Sequence, residues 1–136
     1  MQEPTSDRTP LPQRGARLRK HADYQRVYQE SRKYFSASMT YFFSPRGESF
    51  PAITGPRIGL TAGRVLGKAV ERNRIKRRMR EAVRKNLGSL QSDVDVVLHP
   101  RKSVLEMDFP RLESEINRVF ASVEASLKKD VRETDA

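Results

Sequence analysis

The chain has no cysteine and no tryptophan, and its two histidines are His21 and His99. Without cysteine, disulfides and thiolate metal sites are excluded. The histidines stand far apart with no ligand spacing around either, so a metal site is not expected. Long apolar runs are missing too. No stretch approaches the roughly 20 residues that span a bilayer, and the opening MQEPTSDRTPLPQRGAR has no apolar signal core. A soluble, cytoplasmic protein is expected. Acidic residues are scarce wherever basic ones are dense. From Arg64 to Lys85 ten basic residues face Glu71 and Glu81 alone, so this segment carries +8 of the chain's net +10. A field focused on one short element calls for a polyanionic partner, and nucleic acid is the usual one. Membrane-surface binding is disfavoured because the segment has no large aromatic face to insert.

What is present reads as one domain with a modest core: 136 residues, 36% of them hydrophobic, and no internal repeat. Residues 1–16, with Pro4, Pro10 and Pro12, read as a disordered tail, 17–128 as the domain and 129–136 as a frayed tail. His21 to Glu30 carries Tyr24, Val27 and Tyr28 at helical spacing. Lys33 to Ser44 reads as one strand. Its alternation puts Phe35, Ala37, Met39, Tyr41 and Phe43 on one face, with Tyr34, Ser36, Ser38, Thr40 and Phe42 on the other. Pro45 to Pro56 is a loop and Arg57 to Thr61 a second strand. A long helix follows from about Lys68 to Leu87, with Gly88 as its stop signal. Ile75, Met79, Ala82 and Val83 form its buried stripe, while Asn73, Arg77, Arg80 and Arg84 lie away from it. Asp93 to Leu98 is a third strand. Asp108 and Pro110 open a last helix, whose Leu112, Ile116, Val119, Phe120, Val123 and Leu127 are core candidates. The order is α-β-β-α-β-α, an α+β two-layer α/β sandwich with one sheet face left partly open as a groove.

Against that order, RIGLTAGRVLGKAVERNRIKRRMREAVR resembles the signature of the protein subunit of bacterial ribonuclease P. The hallmark is Arg72-Asn73-Arg74 in a basic helix after the Gly67-Lys68-Ala69-Val70 lead-in. Arg17-Leu18-Arg19-Lys20, the aromatic strand, DVDVVLHPRK and the last helix are also similar to that family. The resemblance implies a ribosomal-protein-like fold with a left-handed βαβ crossover. It implies a partner, ribonuclease P RNA, which is itself the catalyst, uses Mg²⁺ and removes the 5′ leader from precursor tRNA. It implies no catalytic side chain here, no membrane and no obligate protein partner. By position, Arg64, Lys68, Arg72, Asn73, Arg74, Lys76, Arg77, Arg80 and Arg84 would face the catalytic RNA. Tyr24, Tyr28, Thr40 and Phe42 would line the leader groove. Two positions depart from the family pattern: Arg64-Val65 stands where a Lys pair is common, and Lys68 where Asn is.

The residues alone leave alternatives open. Guanidinium groups pair bidentately with phosphates at any relevant pH. Arg72, however, falls near the buried stripe and also suits a structural role. Tyr24 and Tyr28 suit base stacking or simple packing of their helix. Asp93 and Asp95 share a strand face and are expected to be solvated rather than metal-binding. A ribosomal protein or a free-standing nuclease are the rival classes. The second lacks a carboxylate cluster or a histidine pair.

Overall fold

A computed structural model of the chain describes residues 17–46 and 54–135; the expected N-terminal tail lies outside them. The elements run α1 (His21–Glu30), β1 (Tyr34–Phe35), β2 (Met39–Pro45), β3 (Arg57–Leu60), α2 (Ala69–Asn86), β4 (Val94–Pro100) and α3 (Phe109–Asp135). The sheet has the order β1-β2-β4-β3. β1 pairs antiparallel with β2, β2 antiparallel with β4, and β3 parallel with β4. Two parallel neighbours joined by a helix make β3-α2-β4 a βαβ unit.

The α+β architecture expected from the sequence is the one observed, with one strand more. The stretch 33–44 is a tight hairpin rather than one strand. It turns at Ser36–Ser38, where the Ser36 amide donates to the Met39 carbonyl at 2.8 Å. Folding back reverses the alternation. Tyr34 now sits opposite Tyr41 and Phe35 opposite Thr40, and directly paired residues share a face. Tyr34 therefore joins the core side, its ring stacked on Tyr41 with centroids 5.3 Å apart. Phe35 moves to the other side and is 69% exposed.

The main core lies between one sheet face and α2 and α3. Met39, Tyr41, Phe43, Val94, Val96 and Leu98 meet Ile75, Met79 and Ala82 of α2 and the Leu112–Leu127 stripe of α3. Among the buried residues is Glu115 on α3. Its carboxylate accepts from the Ser36 hydroxyl at 2.6 Å, the Ser38 hydroxyl at 2.7 Å and the Ser38 amide at 2.8 Å. Burial raises its pKa, but these bonds outweigh burial and hold it below the usual glutamate value. The hairpin turn is thereby tied to α3 from inside.

The basic helix starts where Gly67 takes φ +118°, a conformation open to glycine. A side chain there would also meet the Glu71 carboxylate, whose Oε1 accepts from the Lys68 amide at 3.1 Å. α2 ends in a 3-10 turn, Leu87–Ser89. The stop near Gly88 is where the sequence puts it, but Gly88 is not left-handed. The last helix runs on to Asp135, through the segment read as a frayed tail.

Candidate RNA interface

On α2 the apolar stripe is buried against the core, which forces the charged stripe outward. Asn73, Arg74, Arg77, Arg80 and Arg84 are exposed, as are Arg64 and Lys68 before the helix; Arg72 and Lys76 are half-buried. The cations differ in what holds them. Arg84 pairs with Glu81 at 2.5 Å and Lys85 with Glu113 at 3.7 Å. Arg78 donates to the Met107 carbonyl and lies 5.9 Å over the Phe109 ring. Arg72 points toward the buried side, with its Nε covered and without a hydrogen-bond partner among the described residues. Arg80 has its pKa lowered, first by burial and then by Arg17 nearby.

The sheet face opposite the main core is organised in three rows read across the strands. Register places Ser44, Asp95 and Arg57 in the first row, Phe42, Val97 and Gly59 in the second, and Thr40 and His99 in the third, which Phe35 extends. α1 crosses the first two. Over the second row Val27 is fully buried among Leu18 and Val97, with Tyr24, Tyr28 and Phe42 packed against them. The Tyr24 hydroxyl donates to the Leu18 carbonyl at 3.2 Å and accepts from the Leu60 amide at 3.1 Å. It lies so close to Gly59 that an added Cβ would stand 2.7 Å from its oxygen. Tyr24 is thus pinned, with burial raising its pKa. At the third row Tyr28, Phe42 and His99 form an aromatic trio with centroids 5.0 to 5.6 Å apart. The Tyr28 hydroxyl is 2.8 Å from His99 Nε2. Burial and then Lys33 lower the His99 pKa, so the ring is neutral near pH 7. Tyr28 is the α1 side chain that reaches this row; Phe35 stays exposed and Thr40 and His99 half-buried, so this end is the open part of the face among the described residues.

The first row corrects the reading of Asp95. It is fully buried, not solvated. Arg57 holds it through Nε at 2.9 Å and Nη2 at 2.8 Å, Arg46 at 2.7 Å, and Arg26 also donates to it. Burial raises its pKa, and the guanidinium groups outweigh burial and hold it below the usual aspartate range. Asp93 is separate and exposed, accepting from the Gly55 amide at 2.6 Å. Among the described residues no three acidic or imidazole groups converge as a metal site requires.

The chain as a whole is similar to known proteins. A model of the family described as Ribonuclease P matches residues 12–124. The chain belongs to the ribonuclease P protein family. A ribonuclease P protein component of Chloroflexus aggregans is 41% identical over 108 residues, covering 79% of this chain and 76% of the relative. One from Finegoldia magna is 32% identical, covering 78% and 88%. The solved ribonuclease P protein of Thermotoga maritima superposes with a TM-score of 0.66 at 27% identity, covering 78% of this chain and 96% of that one.

In this member of the ribonuclease P family, the groove candidates Tyr28, Thr40 and Phe42 gather at the open side of the sheet, and Tyr24 sits at the far end of the face that α1 covers. Sequence reasoning missed His99 and Phe35 as their neighbours. His99 was legible as a lone polar residue at the end of a buried run, DVDVVLH. Phe35 was not, because its face depends on the turn at Ser36–Ser38.

Proposed function

We propose that the chain is the RNA-binding protein subunit of ribonuclease P. Its relatives carry the name ribonuclease P protein component, which supports a role in tRNA processing. In this reading α2 binds the catalytic RNA through Arg74, Arg77 and Arg80, with Asn73 bonding a phosphate or a 2′-OH. The open row beside α1 holds the single-stranded leader. Unpaired bases stack on Tyr28, Phe42 and Phe35, an interaction that tolerates the varied sequence of leaders. The observation that carries this reading is the pairing of a +8 helix segment with an aromatic sheet face that α1 covers only in part, Phe35 staying exposed and Thr40, Phe42 and His99 half-buried.

In this reading the chain supplies no catalytic group. The buried carboxylates Asp95 and Glu115 are engaged by arginines and serines. In this reading the Mg²⁺ of the holoenzyme is held mainly by the RNA, and the protein's part is to neutralise phosphate and orient the leader. No helix among the described residues is long and apolar enough to cross a membrane.

The test is cleavage of a precursor tRNA at low magnesium with ribonuclease P RNA alone, protein alone and both together. Rescue only in the mixture is expected. Cleavage by the protein alone would make it a nuclease. Tight RNA binding without rescue would turn the reading toward a ribosomal protein.

A further inference from the structure

Between α2 and the β3 edge lies a cleft of ≈ 370 Å³ that the leader groove does not use. One wall is the segment Arg17–Leu18, bridged to β3 by the Leu18 amide donating to the Ile58 carbonyl at 3.0 Å. Tyr24 closes that wall, its hydroxyl bonded to both Leu18 and Leu60. The floor is apolar, from Leu18, Ile58, Leu60, Val83 and Leu87, and the rim is cationic, from Arg17, Arg77, Arg80 and Arg84. Glu81, the acid on the rim, is engaged by Arg84 at 2.5 Å, and that bond lowers its pKa. Arg17, Arg77 and Arg80 have no carboxylate in ion-pairing range among the described residues. Burial and the charge of Arg17 both disfavour the Arg80 cation. Like charges gathered over an apolar floor are relieved by an anion that brings a flat apolar body with it.

We propose that this cleft is a pocket for one unstacked nucleotide, its phosphate held by Arg17, Arg77 and Arg80 and its base laid on Leu18, Leu60 and Val83. The volume suits a single nucleotide and excludes a duplex. Arginine forks match phosphate geometry, and an apolar floor accepts any base. Bound there, the nucleotide would tie α2 to the N-terminal segment and to α1, linking the basic helix to the leader side. The proposal rests on the ribonuclease P reading only for the nucleotide's source, which is either the leader or the catalytic RNA.

Titrating the full chain with adenosine 5′-monophosphate and with inorganic phosphate tests it. The nucleotide is expected to bind about tenfold more tightly, the effect of burying roughly 55 Å² of apolar surface. Val83→Phe, which fills the floor, should bring the nucleotide down to the phosphate level; Arg80→Ala should weaken both. Equal affinities in the unaltered chain, or a preference that survives Val83→Phe in a folded variant, would overturn the pocket. Backbone amide shifts need no substitution. Shifts at Leu18, Leu60 and Leu87 on adding the nucleotide are expected, and shifts confined elsewhere would also overturn it. A photoreactive benzoyl-phenylalanine at Leu87 in the assembled holoenzyme then finds the source. Crosslinks to the leader or to the catalytic RNA support the pocket and say which strand enters; crosslinks to neither RNA reject it. A lost nucleotide preference with magnesium rescue intact removes the pocket alone. Nucleotide preference without rescue removes the ribonuclease P function alone.

Discussion

A buried ion makes or breaks this face of the sheet. Asp95 contacts Arg26, Arg46 and Arg57, and both it and the Arg46 side chain are fully buried. Asp95→Asn takes from Arg46 and Arg57 the carboxylate that neutralises them, so it should cost about 3–5 kcal/mol in urea unfolding. A loss under about 1 kcal/mol would mean that the cluster is a solvated surface pair. At the third row, His99 is a residue of the proposed groove. His99→Leu leaves the Tyr28 hydroxyl without its 2.8 Å partner and exchanges a polar edge for an apolar one. Affinity for precursor tRNA should fall several-fold, on the order of 1 kcal/mol for one broken hydrogen bond, with mature tRNA affinity unchanged. Equal losses for both tRNAs would remove His99 from leader binding.

Elements set which charges can reach RNA. On α2, Arg78, Arg84 and Lys85 have protein partners, whereas Arg74, Arg77 and Arg80 face outward. Replacing Arg77 and Arg80 by Ala should lower the slope of log K against log salt by roughly 1.5, about 0.7–0.9 for each phosphate left without its arginine. An unchanged slope would place the phosphates elsewhere. The helix itself was legible because its signals are local: a 3.6 period, glycine before it and basic residues throughout. The β1–β2 hairpin was not. Its turn is fixed by Glu115, 77 residues from Ser38, and the chain from Lys33 to Ser44 satisfies a single-strand pattern equally well. Glu115 did leave a trace, a charged residue beside Ile116 on an otherwise apolar stripe.

Over the whole molecule, acid should lower stability in two stages. His99 has a lowered pKa in the fold. Its contribution is present above its ordinary value of about 6.5 and is lost as pH falls below that. Asp95, Glu115 and Glu124 are also held low, so their contributions are present above about 4.5 and lost below it. The urea midpoint should be flat from pH 8 to about 7, decline gently toward pH 5 and drop steeply beneath about 4.5. A midpoint that rises between pH 6 and pH 4 would contradict these linkages.

By itself the sequence determined the family, the helical and strand periods, the main core stripes and the concentration of charge on one helix. Each of these depends on residues within a few turns of one another. The tertiary structure decided which residues share a face. Only the register of β1, β2, β4 and β3 sets Phe35, Thr40 and His99 in one open row. Only packing of distant segments gathers Arg26, Arg46 and Arg57 on Asp95, and Arg17 beside Arg80. Coulomb and hydrogen-bond energies depend on separation in space, and spacing along the chain does not report it.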